Sequence, residues 1–249
     1  LTIASLLTNK GNLISMLKDK RSVLELVLFA LFGLLFNQVS YLEAINNSNS
    51  GTATILQYIG PVFCMITECI LIKRLPTKKE VGAIMLAMIG TFILATHGDI
   101  HRIYITPLGL MWGLFSAFAI VFYTFLPIRL IGKYGAIPVT GCAMLIGGAI
   151  TSTCSKAFLQ PFNTNPKFIM LLVLIILLGT IVSYTLYLMG INRCGPVVAS
   201  MLASIEPVSA TVFMVILLNV PFTGIEALGF ACIFVTVFIL ARSKATNKK

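Results

Sequence analysis

Charged side chains are scarce in this sequence, and acidic ones are scarcer still. Asp, Glu, Lys and Arg make up 10% of the 249 residues against 58% for the hydrophobic types, with 18 Lys and Arg but only 8 Asp and Glu. A soluble domain could not cover so apolar a composition with a polar surface, and the mean hydropathy of +0.98 indicates the same. The sequence therefore predicts an integral membrane protein.

Residues that build metal and catalytic sites are also few. The six cysteines have no CxxC spacing, and the two histidines share the loop HGDIHR with Asp99. We expect this loop to be solvated rather than to bind a metal, because HxxxH needs a helix to aim both rings and Gly98 disfavours one. The sequence has no Walker loop and no Ser/His/Asp or paired-carboxylate set. We therefore expect neither an enzyme nor a cofactor or metal site.

Long apolar runs separate the short charged patches. About 20 helical residues cross the roughly 30 Å hydrocarbon core of a bilayer. Helices are predicted because backbone groups in lipid must be satisfied within the segment, and because the alternating pattern of a β-barrel is missing. The predicted spans are residues 23–44, 52–72, 81–96, 107–128, 137–159, 168–190, 197–218 and 225–241.

The first residues, LTIASLL, are apolar but too few to span a membrane. We expect them to be the end of a helix that starts before residue 1, with a cleaved signal peptide as the alternative.

Lysine and arginine predict the orientation of the chain. If residues 10–21 face the cytoplasm, alternate turns place 15 of the 18 basic residues on that side, including the C-terminal tail. Only Arg102, Lys156 and Lys167 then face outward. We expect the basic patches to meet anionic lipid headgroups, and no nucleic-acid partner, because no basic domain lies outside the spans.

One stretch of the chain occurs twice. YLEAINNSNSGTATILQYIGP at 41–61 returns as YLMGINRCGPVVASMLASIEP at 187–207, at a constant spacing of 146 residues. Tyr, Asn, Pro and Glu recur with it, as Tyr41/Tyr187, Asn46/Asn192, Pro61/Pro207 and Glu80/Glu226. An odd number of predicted spans separates the copies, so the second must cross the membrane in the opposite direction. Inverted repeats of this kind are typical of secondary transporters.

These motifs resemble those of the EamA-type transporters of the drug/metabolite transporter superfamily. The resemblance is most specific in SIEPVSATV at 204–212, and GLMWGLFSAFAIVFYTFLPIRL at 109–130 is similar to the span that opens the second half. It implies an all-α bundle of two inverted five-helix repeats, with the first helix and most of the second missing from this chain. The repeats would be residues 1–96 and 107–241, followed by a cytoplasmic basic tail at 242–249. Lys73 and Asn219 stand where the family usually has an acidic residue.

Polar residues recur at matched positions of the two copies. Asn37 and Tyr41 share a helix face, and Ser183 and Tyr187 share the matching one. Polar groups in lipid usually face a bundle interior or a water-filled cavity, so we expect these faces to meet around a central path, with hydrogen bonding between helices as the alternative. The predicted substrate-binding residues are Asn37, Gln38, Tyr41, Gln57, Tyr58, Ser183, Tyr184, Tyr187 and Glu206.

Pro61 and Pro207 are predicted to interrupt their spans near the membrane interior, where a substrate could be held, with a simple packing kink as the alternative. Glu206 lies ten residues after Pro196, or about 15 Å along a helix, and so near the bilayer centre. A carboxyl group at that depth suits a proton relay or a cationic substrate; a neutral Glu206 bonded to a neighbouring carbonyl is the alternative.

We therefore predict a multi-pass secondary transporter in the cell membrane. Basic residues fall only in turns, tails and span ends, so a polyanion would find no counter-charge among the predicted binding residues. This favours small neutral, zwitterionic or cationic metabolites or drugs, and the family resemblance implies export. The alternatives are a structural or sensory membrane protein and a membrane-embedded enzyme.

Overall fold

The computed structural model describes residues 1–2, 10–96, 99, 101, 106–154, 165–203, 205–218 and 224–246. Within these ranges the chain is almost entirely helical and contains no strand. The helices are α1 (Lys10–Lys18), α2 (Lys20–Asn46), α3 (Ser50–Gln57), α4 (Gly60–Leu71), α5 (Lys78–Thr96), α6 (Pro107–Phe125), α7 (Ile128–Tyr134), α8 (Ala136–Cys154), α9 (Pro166–Cys194), α10 (Pro196–Leu202), α11 (Ile205–Leu218) and α12 (Gly224–Thr246).

Some predicted features fall outside the described residues. They are most of LTIASLL, His97, Gly98, Arg102, Lys156, Asn219 and the last three residues of the basic tail. In the HGDIHR loop, a side-chain oxygen of Asp99 accepts a hydrogen bond from the His101 backbone N–H at 3.0 Å. This is a local turn of the kind that an aspartate forms with its own backbone.

Six stretches of the described chain are long and apolar enough to cross a membrane. They coincide with the first six predicted spans, and their bounds are Lys20–Asn46, Ser50–Leu71, Lys78–Thr96, Pro107–Tyr134, Ala136–Cys154 and Pro166–Cys194. Two shorter apolar stretches, Pro196–Ser209 and Ala227–Thr236, lie where the last two spans are predicted. The prediction of an all-α, multi-span membrane protein is confirmed.

Helix boundaries recur at the 146-residue spacing of the sequence repeat. Both α2 and α9 contain a π-helical segment, Phe29–Leu35 in the first and Ile175–Val182 in the second. The other matched helix starts are Lys20 with Pro166 for α2 and α9, Ser50 with Pro196 for α3 and α10, and Lys78 with Gly224 for α5 and α12. Similar sequence at this spacing is thus accompanied by similar local structure.

The chain divides into two compact units. Unit 1 comprises Leu1–Phe36 and Phe122–Gly195, and unit 2 comprises Asn37–Val121 and Pro196–Lys249. In unit 1, α8 packs on the π-helical segment of α2 and on the second half of α9. Gly33 permits a close approach inside this unit, because a Cβ there would lie 3.2 Å from the Cα of Tyr123.

A polar cluster in unit 1 joins the start of α2 to α7. Asp19 precedes α2 and accepts hydrogen bonds from the Ser22 hydroxyl at 2.8 Å and from the Lys133 ammonium at 3.1 Å. Arg129 forms an ion pair with Glu25. The hydrogen bond from Ser22 and the one from Lys133 hold the pKa of Asp19 well below its ordinary value. Ion pairs thus connect the start of α2 to α7, at the predicted cytoplasmic side.

In unit 2, α5 packs along α12 through small residues. Gly90 faces Gly229, and the Thr236 hydroxyl donates a hydrogen bond to the Ala83 carbonyl at 3.3 Å. The shorter helix α10 packs on α4, where Val197 and Met201 join Met65 in a buried apolar cluster. Small residues at these crossings let helix backbones approach closely, as in many membrane bundles.

Candidate functional site

Two helical spans of unit 2 are interrupted at matched places. The first breaks between Gln57 at the end of α3 and Gly60 at the start of α4. The second breaks between α10 and α11, and Ile205 begins α11. Pro61 and Pro207 lie in the first turns after these breaks, where the missing proline N–H would have no helical acceptor anyway. Each break therefore precedes its proline.

Tyr58 links the two breaks of unit 2. Its side chain is buried, and its hydroxyl lies 3.1 Å from the carbonyl oxygen of Ala203, next to the second break. The same hydroxyl lies 3.4 Å from Oε2 of Glu206, which stands in the first turn of α11. The Ala203 carbonyl also accepts the Glu206 backbone N–H at 2.9 Å. A tyrosine at the first break thus contacts a carbonyl and a carboxyl group at the second.

A second polar group of unit 2 surrounds Gln57. Nε2 of Gln57 donates to Oγ of Ser116 at 2.8 Å and approaches Oδ1 of Asn37 at 3.4 Å. On the same stretch of α2, the Tyr41 hydroxyl is paired with the Thr54 hydroxyl at 2.9 Å. These bonds join three helices, so at least part of the predicted polar face takes part in hydrogen bonding between helices.

In unit 1, the predicted tyrosines of α9 gather around Tyr123. The Tyr123 ring stacks on Tyr187 with centroids 5.0 Å apart and meets the edge of Tyr184 at 5.5 Å. Phe29 stacks on it as well, at 6.0 Å. The Tyr187 hydroxyl is hydrogen-bonded to the Thr124 hydroxyl at 2.9 Å. This aromatic cluster orients Tyr187 by one ring contact and one hydrogen bond.

Three predicted site residues are exposed: Gln38, Ser183 and Glu206. Ser183 donates to the Leu178 carbonyl of its own helix at 2.8 Å, beside the π-helical segment of α9. Gln38 is exposed on α2. Of the predicted set, the structure thus brings together Asn37 with Gln57 and Tyr58 with Glu206 in unit 2, and gathers Tyr184 and Tyr187 in unit 1.

Sequence reasoning missed Ser116, Tyr123 and Thr124, which all lie on α6. Tyr123 and Thr124 follow Ser116 by seven and eight residues, which is the spacing of one helical face, in an otherwise apolar span. A search for polar residues at helical spacing in that span would have found them. Ala203 has no such signal, because it contributes a backbone carbonyl that any residue carries.

The contacts given above for the predicted site residues involve no described basic side chain. The described basic side chains stand in turns or near helix ends, as Arg74 does with its ion pairs to Glu68 and Glu80, both at 2.7 Å. The carboxylates of Glu80 and Glu68 raise the pKa of Arg74 above its ordinary value, and so keep it charged. The polar groups in the contacts of the predicted site residues are hydroxyls, amides, backbone carbonyls and the Glu206 carboxyl.

Comparison with known proteins agrees with this architecture. The EamA-like transporter family matches residues 1–96 and 107–242. A protein of Salmonella typhimurium (strain LT2) named Uncharacterized inner membrane transporter YicL is 34% identical over 227 residues, which cover 91% of this chain and 76% of that protein. A solved crystal structure superposes with a TM-score of 0.78 at 17% identity, over 96% of this chain and 81% of the other, and so has the same fold. The chain belongs to the EamA-like transporter family and is a multi-pass membrane transporter.

Proposed function

We propose that this protein is a secondary transporter that exports small neutral, zwitterionic or cationic solutes. The observation that carries the proposal is the chemistry of the contacts within each unit: amides, hydroxyls and one carboxyl group in unit 2, and tyrosine rings in unit 1. Tyrosine faces and a carboxylate attract cations, whereas a phosphate would need Lys or Arg. Losing its hydration without such a partner would cost a polyanion several kcal/mol.

Secondary transport is supported by the sequence and by the repeated helix boundaries. The sequence contains no Walker loop to bind ATP. The paired helix starts, breaks and π-helical segments support two copies of one sequence repeat. The charge distribution supports opposite orientations of the two copies. Secondary transporters often use such inverted repeats and bind solutes at broken helices. With this topology, the C-terminal tail faces the cytoplasm.

The residues proposed to contact solute are the predicted site residues of each unit. In unit 2 they are Asn37, Gln38, Tyr41, Gln57, Tyr58 and Glu206, and in unit 1 they are Ser183, Tyr184 and Tyr187. Glu206 is the acidic member, and its side chain is exposed in the structure. A carboxyl group beside a helix break can accept a proton or pair with an amine. It is therefore the group through which charge would select solutes.

Uptake into proteoliposomes tests the solute class. Radiolabelled amines, amino acids and a phosphorylated sugar are offered separately, with an imposed pH gradient and protein-free liposomes as the blank. We expect saturable uptake of at least one amine or amino acid and none of the phosphorylated sugar. Saturable uptake of the phosphorylated sugar, with none of the amines or amino acids, would overturn the proposal.

A further inference from the structure

The hydroxyl of Tyr58 carries one hydrogen and stands between two acceptors. The Ala203 carbonyl oxygen is 3.1 Å away and Oε2 of Glu206 is 3.4 Å away. A phenol can donate one hydrogen bond and accept others through its lone pairs. Both contacts of the Tyr58 oxygen can therefore be hydrogen bonds at the same time only if one of the two outer groups also supplies a hydrogen.

Glu206 is the group that can supply it. When its carboxyl is protonated, Glu206 donates to the Tyr58 oxygen, and Tyr58 is left to donate to Ala203. When its carboxyl is ionised, Glu206 is an acceptor only, and a charge-assisted bond draws the Tyr58 hydrogen toward it. The Ala203 carbonyl then keeps only the backbone N–H of Glu206. The difference between the two states is one proton, taken from or returned to water.

We propose that Tyr58 is a positioning residue that transmits the protonation state of Glu206 to the second helix break. Protonation directs the Tyr58 hydroxyl to the Ala203 carbonyl and holds the end of α10 in place. Ionisation turns the hydroxyl to Glu206 and releases that carbonyl. This deepens the proposed function and rests on it in one respect, since it gives Glu206 a role beyond contacting solute.

The groups around the Tyr58–Glu206 contact favour one protonation switch, at Glu206. Among the described side chains, Tyr41 is the other titratable group that interacts electrostatically with Tyr58. The Tyr41 hydroxyl is itself paired with the Thr54 hydroxyl. Glu206 is exposed, whereas Tyr58 is buried. The repeat has Gly60 at the position that corresponds to Glu206. The carboxyl group is thus present in one copy only, and the two breaks differ in their response to pH.

The α10–α11 turn is short, which makes its state measurable. Its backbone hydrogen bond from Glu206 N to Ala203 O is 2.9 Å long and reports whether the turn is closed. Amide hydrogen exchange of the peptide spanning 203–207 is measured in the full chain in nanodiscs, from about pH 5 to about pH 9 and normalised to the intrinsic exchange rate. In the wild type we expect protection to fall by about three- to tenfold as pH rises, the effect of losing one hydrogen bond.

Three variants separate the switch from simple packing. Glu206→Gln keeps a donor that cannot ionise, so we expect high protection that does not change with pH. Tyr58→Phe removes the shared hydroxyl, and low, pH-independent protection is expected. Tyr134→Phe, the matched control, removes a tyrosine hydroxyl of α7 in unit 1, outside the proposed site, and should keep the wild-type pH dependence of exchange.

Two results would overturn the inference. One is a wild-type pH dependence that persists in Tyr58→Phe, and the other is one that persists in Glu206→Gln; if Tyr58→Phe does not fold, the Glu206→Gln curve decides alone. Because exchange is measured without solute, the expected pattern in a protein that transports nothing would contradict the proposed function but leave this switch standing.

Discussion

Gly90 of α5 and Gly229 of α12 lie against each other, backbone to backbone. A Cβ on Gly90 would come within 2.9 Å of the Gly229 carbonyl oxygen, and one on Gly229 within 3.2 Å of the Gly90 carbonyl oxygen. The residues 146 positions from these two, Thr236 and Ala83, also contact each other. The contacts between α5 and α12 are thus reciprocal, as in an interface between two copies related by a two-fold axis.

Replacing Gly90 with alanine should therefore destabilise unit 2. The added Cβ meets a backbone atom that cannot move aside alone, and overpacking of this kind costs about 1–3 kcal/mol. Denaturant or thermal unfolding in detergent measures the change. Gly82→Ala on the same helix is the matched control, because a Cβ there has nothing within 4 Å. Alanine should be neutral or stabilising at Gly82, by about 0.5–1 kcal/mol. Equal effects at both glycines would contradict the close approach.

Arg74 joins the end of α4 to the start of α5 and should not tolerate lysine. Its guanidinium reaches Glu68 through one nitrogen and both oxygens of Glu80 through two. A lysine ammonium is a point charge without this fork, so Arg74→Lys should cost about 1 kcal/mol at this partly exposed site.

Lys73→Asn tests whether the stability lost in Arg74→Lys comes from the bonds of Arg74 to Glu68 and Glu80. Lys73 is exposed and has a positive φ of 49°, a backbone conformation that asparagine tolerates well. The same unfolding assay should show no loss for this neighbouring basic residue. A cost for Lys73→Asn as large as that for Arg74→Lys would show that the turn needs basic charge rather than the bonds of Arg74.

Cysteine labelling tests the proposed orientation. In a background with the six native cysteines replaced by serine, single cysteines at Asn49 and Asp99 should react with a membrane-impermeant reagent added from outside. Cysteines at Thr77 and Asn247 should react only after the membrane is opened, because the basic turns face the cytoplasm. The reverse pattern would overturn the topology.

The sequence predicted the spans well, because a segment that crosses lipid must be apolar and must satisfy its backbone hydrogen bonds internally. Pro61 and Pro207, which the sequence predicts as helix-break residues, both lie in the first turns that follow the breaks between helices. The π-helical segments could not be predicted. Their sequences, FALFGLL and IILLGTIV, contain neither proline nor a polar residue other than one threonine.

For the candidate site, the sequence proposes residues but not their contacts. Tyr58 and Glu206 were predicted because they are polar groups in apolar spans and stand beside Pro61 and Pro207. Their partner, the Ala203 carbonyl, belongs to the backbone and depends on how α10 packs on α4. The role of Ser116 likewise depends on the Gln57 side chain that reaches it from another helix. Tertiary contacts of this kind have no sequence pattern of their own.

The central claim is that the Glu206 carboxyl group is needed for transport. Its most direct test is solute flux into proteoliposomes at several pH values, with wild type, Glu206→Gln and Glu43→Gln compared at equal amounts of inserted, folded protein. Glu43 is a carboxylate near the end of α2, outside the proposed site, and serves as the control. We expect Glu206→Gln to lower flux at least about tenfold, the kinetic equivalent of one lost charged hydrogen bond, and Glu43→Gln to leave it unchanged. Wild-type flux at every pH in Glu206→Gln would contradict the account.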